Sequence, residues 1–243
     1  MKRFKITFSY DGTNFYGYQK QPHKRTVQGE IESALKYINN GKKTPLTSSG
    51  RTDAKVHAIN QVGHADISVD ITEYKLKRAI NSLTEDDIHV KSAEIVDSDF
   101  HARYMVKSKE YIYKINLGEY SPVDRNYVYQ YCKSLNINKM KEATKYFVGE
   151  HDFKAFCSLD EDKNTIRTIY SIDLDLKDDI LVIRFKGSGF LKYMVRIMVG
   201  ALIRVGEEKV EPIEIKKVMD KKERTKTFFT SSPCGLYLKN VNY

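Results

Sequence analysis

A chain of 243 residues can bury a substantial core, either as one large domain or as two halves of ordinary size. Its 41 lysines and arginines against 32 aspartates and glutamates give a formal charge of +9, a sign that suits a polyanionic partner without saying which one. Cys132, Cys157 and Cys234 form neither a CxxC pair nor a disulfide framework, and the opening residues lack the apolar run of a signal peptide. The most apolar stretch, 190–205, is broken by Lys192, Arg196 and Arg204, so a cytoplasmic chain without a membrane span is expected.

In chain order, residues 2–10 alternate Phe4, Ile6, Phe8 and Tyr10 with polar residues, as a half-buried strand does, and a glycine-containing loop follows over 11–25. Thr26 is placed to cap a helix with Val27, Ile31, Leu35 and Ile38 on one face, and Gly41 stands just past its end. Residues 46–49 predict a short strand entering a polar turn, 50–55, from which a strand returns over 58–69. A helix near 72–83, a strand near 88–96 and an alternating strand over 110–117 come next. The remainder predicts a helix near 137–147, strands at 165–176 and 181–186, and a buried helix starting at Phe190.

Strands followed by helices without strict βαβ alternation predict an α+β fold with antiparallel or mixed sheets. The similar style of the two parts suggests two related halves, 1–105 and 106–243, although no sequence repeat links them.

The densest chemical cluster runs from Ser48 to Ala58, where Asp53 lies among Arg51, Lys55 and His57 in the turn. Nearby positive charge keeps a carboxylate ionised. The plainer reading is that aspartate caps its own backbone in such a loop. His57, His64, His89 and His101 do not pair with one another or with cysteine at metal-ligand spacing, so no metal is expected. Tyr111 and Tyr113 share one face of their strand, where core aromatics are the ordinary explanation. Arg196 is set among Phe190, Leu191, Met194, Val195, Ile197 and Met198, where an unpaired cation is expensive unless its stem carries it to solvent.

The segment GRTDAKVHA at 50–58 resembles the signature of the tRNA pseudouridine synthase A family, whose usual form is G-R-T-D-A-G-V-H-A. YDGTNFYGYQ at 10–19, DFHAR at 99–103, GEHDFKAF at 149–156, GFLKYMVRIMVGAL at 189–202 and PCGLYL at 233–238 are similar to that family too, in matching order along nearly the whole chain.

The resemblance implies a pseudouridine synthase fold with an RNA-binding cleft between the two halves, the first carrying the catalytic aspartate loop and the second completing the site. It implies that Asp53 is the nucleophile, that Arg196 pairs with it, and that Tyr111 meets the target base. Arg51, two residues before the aspartate, is close enough to contact backbone phosphates or to help open the place left by a flipped nucleotide. The implied partner is tRNA at uridines 38, 39 and 40 of the anticodon arm, bound by a cytoplasmic homodimer that uses neither DNA nor a membrane. Substrate and product are isomers, so no cofactor is required. The alternative is a tRNA-binding protein or tRNA chaperone of the same fold without turnover. Lys55, where the family usually has glycine, makes that alternative worth weighing: if the backbone there has positive φ, a lysine carries strain of roughly 1 kcal/mol or more.

Overall fold

Alternation along β1 (Lys2–Tyr10) sends Phe4, Ile6 and Phe8 into complete burial and leaves Tyr10 nearly so, while the intervening side chains stay partly exposed. The computed structural model describes residues 1–158 and 164–243, and divides them between two units, Met1–Lys107 with Tyr237–Tyr243 and Ser108–Leu236.

In the first unit β1 pairs antiparallel with β3 (His57–Ile67) on one side and with β4 (Ile88–Val96) on the other, and β2 (Thr47–Ser48) adds to β3. The last strand, β10 (Leu236–Asn242), enters this unit at Tyr237 and runs parallel to β3, with Tyr237 opposite His57 and Leu238 opposite Ala58. The sheet is therefore mixed, in the order β4-β1-β3-β10.

Helix α1 (Val27–Ile38) starts at Thr26, whose hydroxyl accepts the Gly29 N–H at 3.3 Å, and buries Val27, Ile31, Ala34 and Leu35. Just past its end Gly41 takes the left-handed conformation (φ +79°) and returns its N–H to the Lys36 carbonyl. Thr72 caps α2 (Glu73–Leu83) in the same way, and this helix packs Leu76 and Ile80 toward β4 and α1.

The second unit holds β5 (Ser108–Asn116), β6 (Tyr129–Gln130), α3 (Ile137–Thr144), β7 (Gly149–Asp152), β8 (Ile166–Lys177), β9 (Ile180–Gly187), α4 (Met194–Gly206) and α5 (Glu214–Lys221). Its sheet runs β5-β9-β8-β7 with antiparallel neighbours, and β6 lies parallel on the edge of β5. The α+β class with antiparallel and mixed sheets is the one observed.

Two helix bounds differ from the expectation. Helix α4 begins at Met194 and not at Phe190, because Tyr193 occupies the left-handed region (φ 63°, ψ −2°) and separates the helix from the preceding segment. Helix α3 ends at Thr144, after which residues 145–147 form a turn that buries Phe147. Among the described residues no helix is long and apolar enough to cross a membrane.

Candidate active site

The loop between β2 and β3 carries Arg51 and Asp53. Its first residues are fixed by a buried polar network: Ser49 donates its hydroxyl to Gln61 Oε1 at 2.6 Å, and Gln61 Nε2 and the Ser48 hydroxyl both donate to the Gly50 carbonyl. Gln61 is fully buried, so these bonds satisfy groups that would be costly to leave unpaired.

The middle of the loop is held by the end of β1 and the segment after it. The Tyr10 hydroxyl meets Thr52 Oγ1 at 2.8 Å, and the Tyr18 N–H donates to the Thr52 carbonyl at 3.1 Å. Burial pushes the Tyr10 hydroxyl up to about 12, so it stays protonated and able to bond Thr52. The rings of Phe8, Tyr10 and Tyr18 lie within 6.2–6.5 Å of one another and form the floor beneath this contact.

Two glycines let the backbones come this close. A Cβ on Gly12 would lie 2.2 Å from the Val56 carbonyl oxygen, and one on Gly17, which takes φ +98°, would stand 3.3–3.5 Å from Thr52 O, Ala54 N and the Asp53 carbonyl carbon. The far end of the loop is tied by the Gly12 N–H donating to His57 Nδ1 at 3.0 Å, with the His57 ring stacked on Tyr237 at 4.7 Å.

Within this frame Asp53 is half-buried, Arg51 is exposed, and the Val56 N–H closes a turn on the Asp53 carbonyl at 3.2 Å. Lys55 sits in that turn at φ 65°, in the left-handed region. The residue that departs from the family's glycine therefore keeps a conformation suited to glycine, and it carries the strain.

In the second unit Tyr111 stands on β5 opposite Phe185 of β9, is buried, and meets the Phe190 ring edge-on at 5.1 Å and 77°. Tyr113 shares that face, is fully buried, and donates its hydroxyl to the Ser232 carbonyl at 2.6 Å. The bland reading of a core aromatic therefore describes Tyr113.

Every residue of α4 is buried except Arg196 and Arg204. Arg196 Nε donates to the Ser231 carbonyl at 2.8 Å and its guanidinium lies 5.2 Å from the Tyr193 ring centroid. The carbonyl of Arg196 in turn accepts both the Ser231 N–H and the Ser231 hydroxyl. Arg51 and Asp53 thus belong to the first unit, and Tyr111 and Arg196 to the second.

Residue-by-residue reading passes over Tyr10, Gly12, Gly17, Gln61 and Ser231. The first three lie in the YDGTNFYGYQ stretch, where two glycines within six residues are a signal of close backbone approach.

Comparison with known proteins places the chain in a family. A family model described as tRNA pseudouridine synthase matches residues 6–105 and 143–243. The tRNA pseudouridine synthase A 1 of Bacillus cereus is 45% identical over 245 residues, covering 100% of this chain and 99% of that protein. The tRNA pseudouridine synthase A of Listeria monocytogenes is 45% identical over 247 residues, covering all of both chains. That of Anoxybacillus flavithermus is 44% identical over 244 residues, covering 100% of this chain and 99% of the relative. Among solved structures, a Cbf5-Nop10-Gar1 complex gives a TM-score of 0.35 at 15% identity, over 82% of this chain and 54% of that one, a likeness too loose to bear on the assignment.

The chain belongs to the tRNA pseudouridine synthase family. It is an isomerase that converts uridine to pseudouridine in tRNA.

Proposed function

We propose that this chain isomerises uridines 38, 39 and 40 of the tRNA anticodon arm with Asp53 as the nucleophile. The observation that carries the reading is the Asp53 loop itself, in which the carboxylate is half-buried on a backbone braced by Tyr10, Gly12, Gly17 and Tyr18. A reacting group held within a fraction of an ångström needs such support.

The reaction breaks the N1–C1′ bond, turns the base and joins C5 to C1′. The hydrogen on C5 leaves and N1 gains one. A carboxylate serves this in either of two ways, by covalent addition to sugar or base and later departure, or by removing a sugar proton to give a glycal.

In the proposed site Arg196 supplies the cation that keeps the nucleophile ionised, Tyr111 stands beside the flipped uracil as its aromatic platform, and Arg51 contacts phosphates or the vacated place in the helix. The first half, residues 1–105, would then carry the nucleophile and the second, 106–243, would complete the site. The formal charge of +9 favours the RNA backbone as partner. We further propose a cytoplasmic homodimer whose two subunits contact one tRNA, to be checked by sedimentation with and without tRNA.

The test is release of tritium from tRNA labelled at uracil C5. Wild type should release it, and Asp53→Asn should bind tRNA without release. Single-turnover product from Asp53→Asn would remove Asp53 from its role, and binding without release by the wild type would favour a tRNA chaperone.

A further inference from the structure

The segment after β1 does more than brace the Asp53 loop. Between Gly12 and Gly17, Phe15 is buried and Tyr16 stands with 57% of its surface exposed. The backbone beneath that ring is tied down, because the Tyr16 N–H donates to the Arg25 carbonyl at 3.0 Å and its carbonyl accepts Gln21 Nε2 at 2.9 Å. A Gln21–Lys24 bridge closes the small hairpin that follows.

Lys24 Nζ lies 4.3 Å from the centroid of the Tyr16 ring, within cation–π range. Its neighbours are engaged elsewhere, Lys20 with Glu32 and Arg25 with Asp87, Glu85 and Glu30. Among the described residues Lys24 has no such carboxylate. An exposed ring on an anchored backbone, backed by a cation with no carboxylate of its own, has the chemistry of a nucleic-acid stacking platform.

Position says which nucleotide it would serve. A Cβ on Gly17 would stand 3.5 Å from the Asp53 carbonyl carbon. Adding one carbon–carbon bond and one Cα–Cα step of about 3.8 Å puts the Tyr16 Cα within about 9 Å of the Asp53 main chain. An exposed aromatic side chain rooted that close to the main chain of the nucleophile has the reach to meet a nucleotide next to the target.

We infer that Tyr16, backed by Lys24, stacks on a base adjacent to the target uridine and so helps to position it. The inference rests on the proposed role of Asp53 and adds a contact to which the chemistry itself is indifferent. Base–aromatic stacking is worth about 1–3 kcal/mol, a factor of roughly 5 to 150 in affinity.

The experiment is single-turnover conversion of tRNA, in which the half-saturating enzyme concentration and the limiting rate are measured separately for wild type, Tyr16→Phe and Tyr16→Ala. Tyr16→Ala should raise the half-saturating concentration about tenfold or more, and Tyr16→Phe should stay near wild type. The same series is run on tRNA with an abasic residue on the 5′ or the 3′ side of the target. One of these should weaken wild type about tenfold and leave Tyr16→Ala almost unmoved, a coupling that a merely structural defect would not produce. Independent losses on both abasic substrates, or a half-saturating concentration for Tyr16→Ala within twofold of wild type, would overturn the inference. Failure of the wild type to convert intact tRNA would instead refute the proposed function, so the two failures are distinguishable.

Discussion

Ser231 holds Arg196 at both ends: the guanidinium Nε donates to the Ser231 carbonyl, while the Ser231 N–H and hydroxyl donate to the Arg196 carbonyl. The serine is buried, and the pairing fixes both the course of α4 at this turn and the direction of its one cation in the first half of the helix. Ser231→Ala removes only the hydroxyl bond, so it should lower stability by about 1 kcal/mol and reduce turnover modestly, because the Nε bond to backbone persists. Arg196→Met should reduce turnover far more, with tRNA binding little changed, and Arg196→Lys should recover part of the rate. Denaturant melts and single-turnover rates for the three variants check the order, and equal rates in all three would separate Arg196 from catalysis.

Lys55 gives the second expected outcome. At φ 65° a lysine carries a Cβ penalty of about 1–2 kcal/mol that glycine lacks, offset by the greater freedom of glycine in the unfolded chain, about 0.4–1 kcal/mol. Lys55→Gly should therefore be neutral or stabilising, by up to about 1.6 kcal/mol. Its tRNA affinity should fall less steeply with salt if the lysine meets a phosphate. A clear loss of stability in Lys55→Gly would contradict the strain argument.

A third outcome concerns the brace on the other side of the loop. A Cβ on Gly12 would lie 2.2 Å from the Val56 carbonyl oxygen and 2.6 Å from its carbon, so backbone must move on one side or the other. Gly12→Ala should destabilise the fold by about 1–3 kcal/mol and shift the Asp53 turn. The expected loss in turnover is larger than that in tRNA affinity, since small displacements of a reacting group are expensive in rate. Unaltered turnover would show that the loop position is set without Gly12.

What was legible in the sequence was what depends on a local period. The alternation of β1 and the Thr26-capped face of α1 are both read from a window of about ten residues, and both are observed. The bracing of the Asp53 loop is not local, since Tyr10 and Thr52 are 42 positions apart, and neither is the fixing of Arg196, which lies 35 positions from Ser231. Nothing in the 236–242 stretch says that it returns to pair in parallel with β3, since alternation of Leu236 and Leu238 would fit any strand. The late start of α4 hides behind good helix-period residues from Phe190 onward, because a single left-handed residue, Tyr193, outweighs that period. The candidate residues themselves came from motif resemblance, and the glycines within those motifs acquire a physical reason only when the contacts are seen.

The last prediction is a pH dependence lodged in the first unit. His64 is buried on β3, and its Nδ1 accepts the Ala102 N–H at 3.1 Å, so that nitrogen carries no proton in the fold. The groups that face it are Arg3 and His101, which disfavour its protonation, and Asp66, which favours it. Burial is the largest influence, and together they hold its pKa below the ordinary histidine value. As pH falls through that ordinary value, near 6.5, the unfolded chain takes up a proton and the folded chain does not. The contribution of neutral His64 is therefore fully present above about pH 6.5 and is lost as pH drops toward the folded pKa, at no more than about 1.4 kcal/mol per pH unit. Asp66 acts in a different window: its bidentate bond to Arg3, at 2.8 Å on both oxygens, lowers its pKa, so its contribution is present above the ordinary carboxylate value near 3.9 and is lost only below it. Urea melts of wild type and His64→Gln at closely spaced pH values from 7.5 to 5 isolate the histidine. The stability advantage of wild type over His64→Gln should shrink as pH falls through this range, and the N–H of Ala102 should lose protection relative to its intrinsic exchange rate toward acid only in the wild type. Parallel stability curves for the two proteins would show that His64 titrates alike in the folded and unfolded chains, and that the 99–103 segment is held by other means.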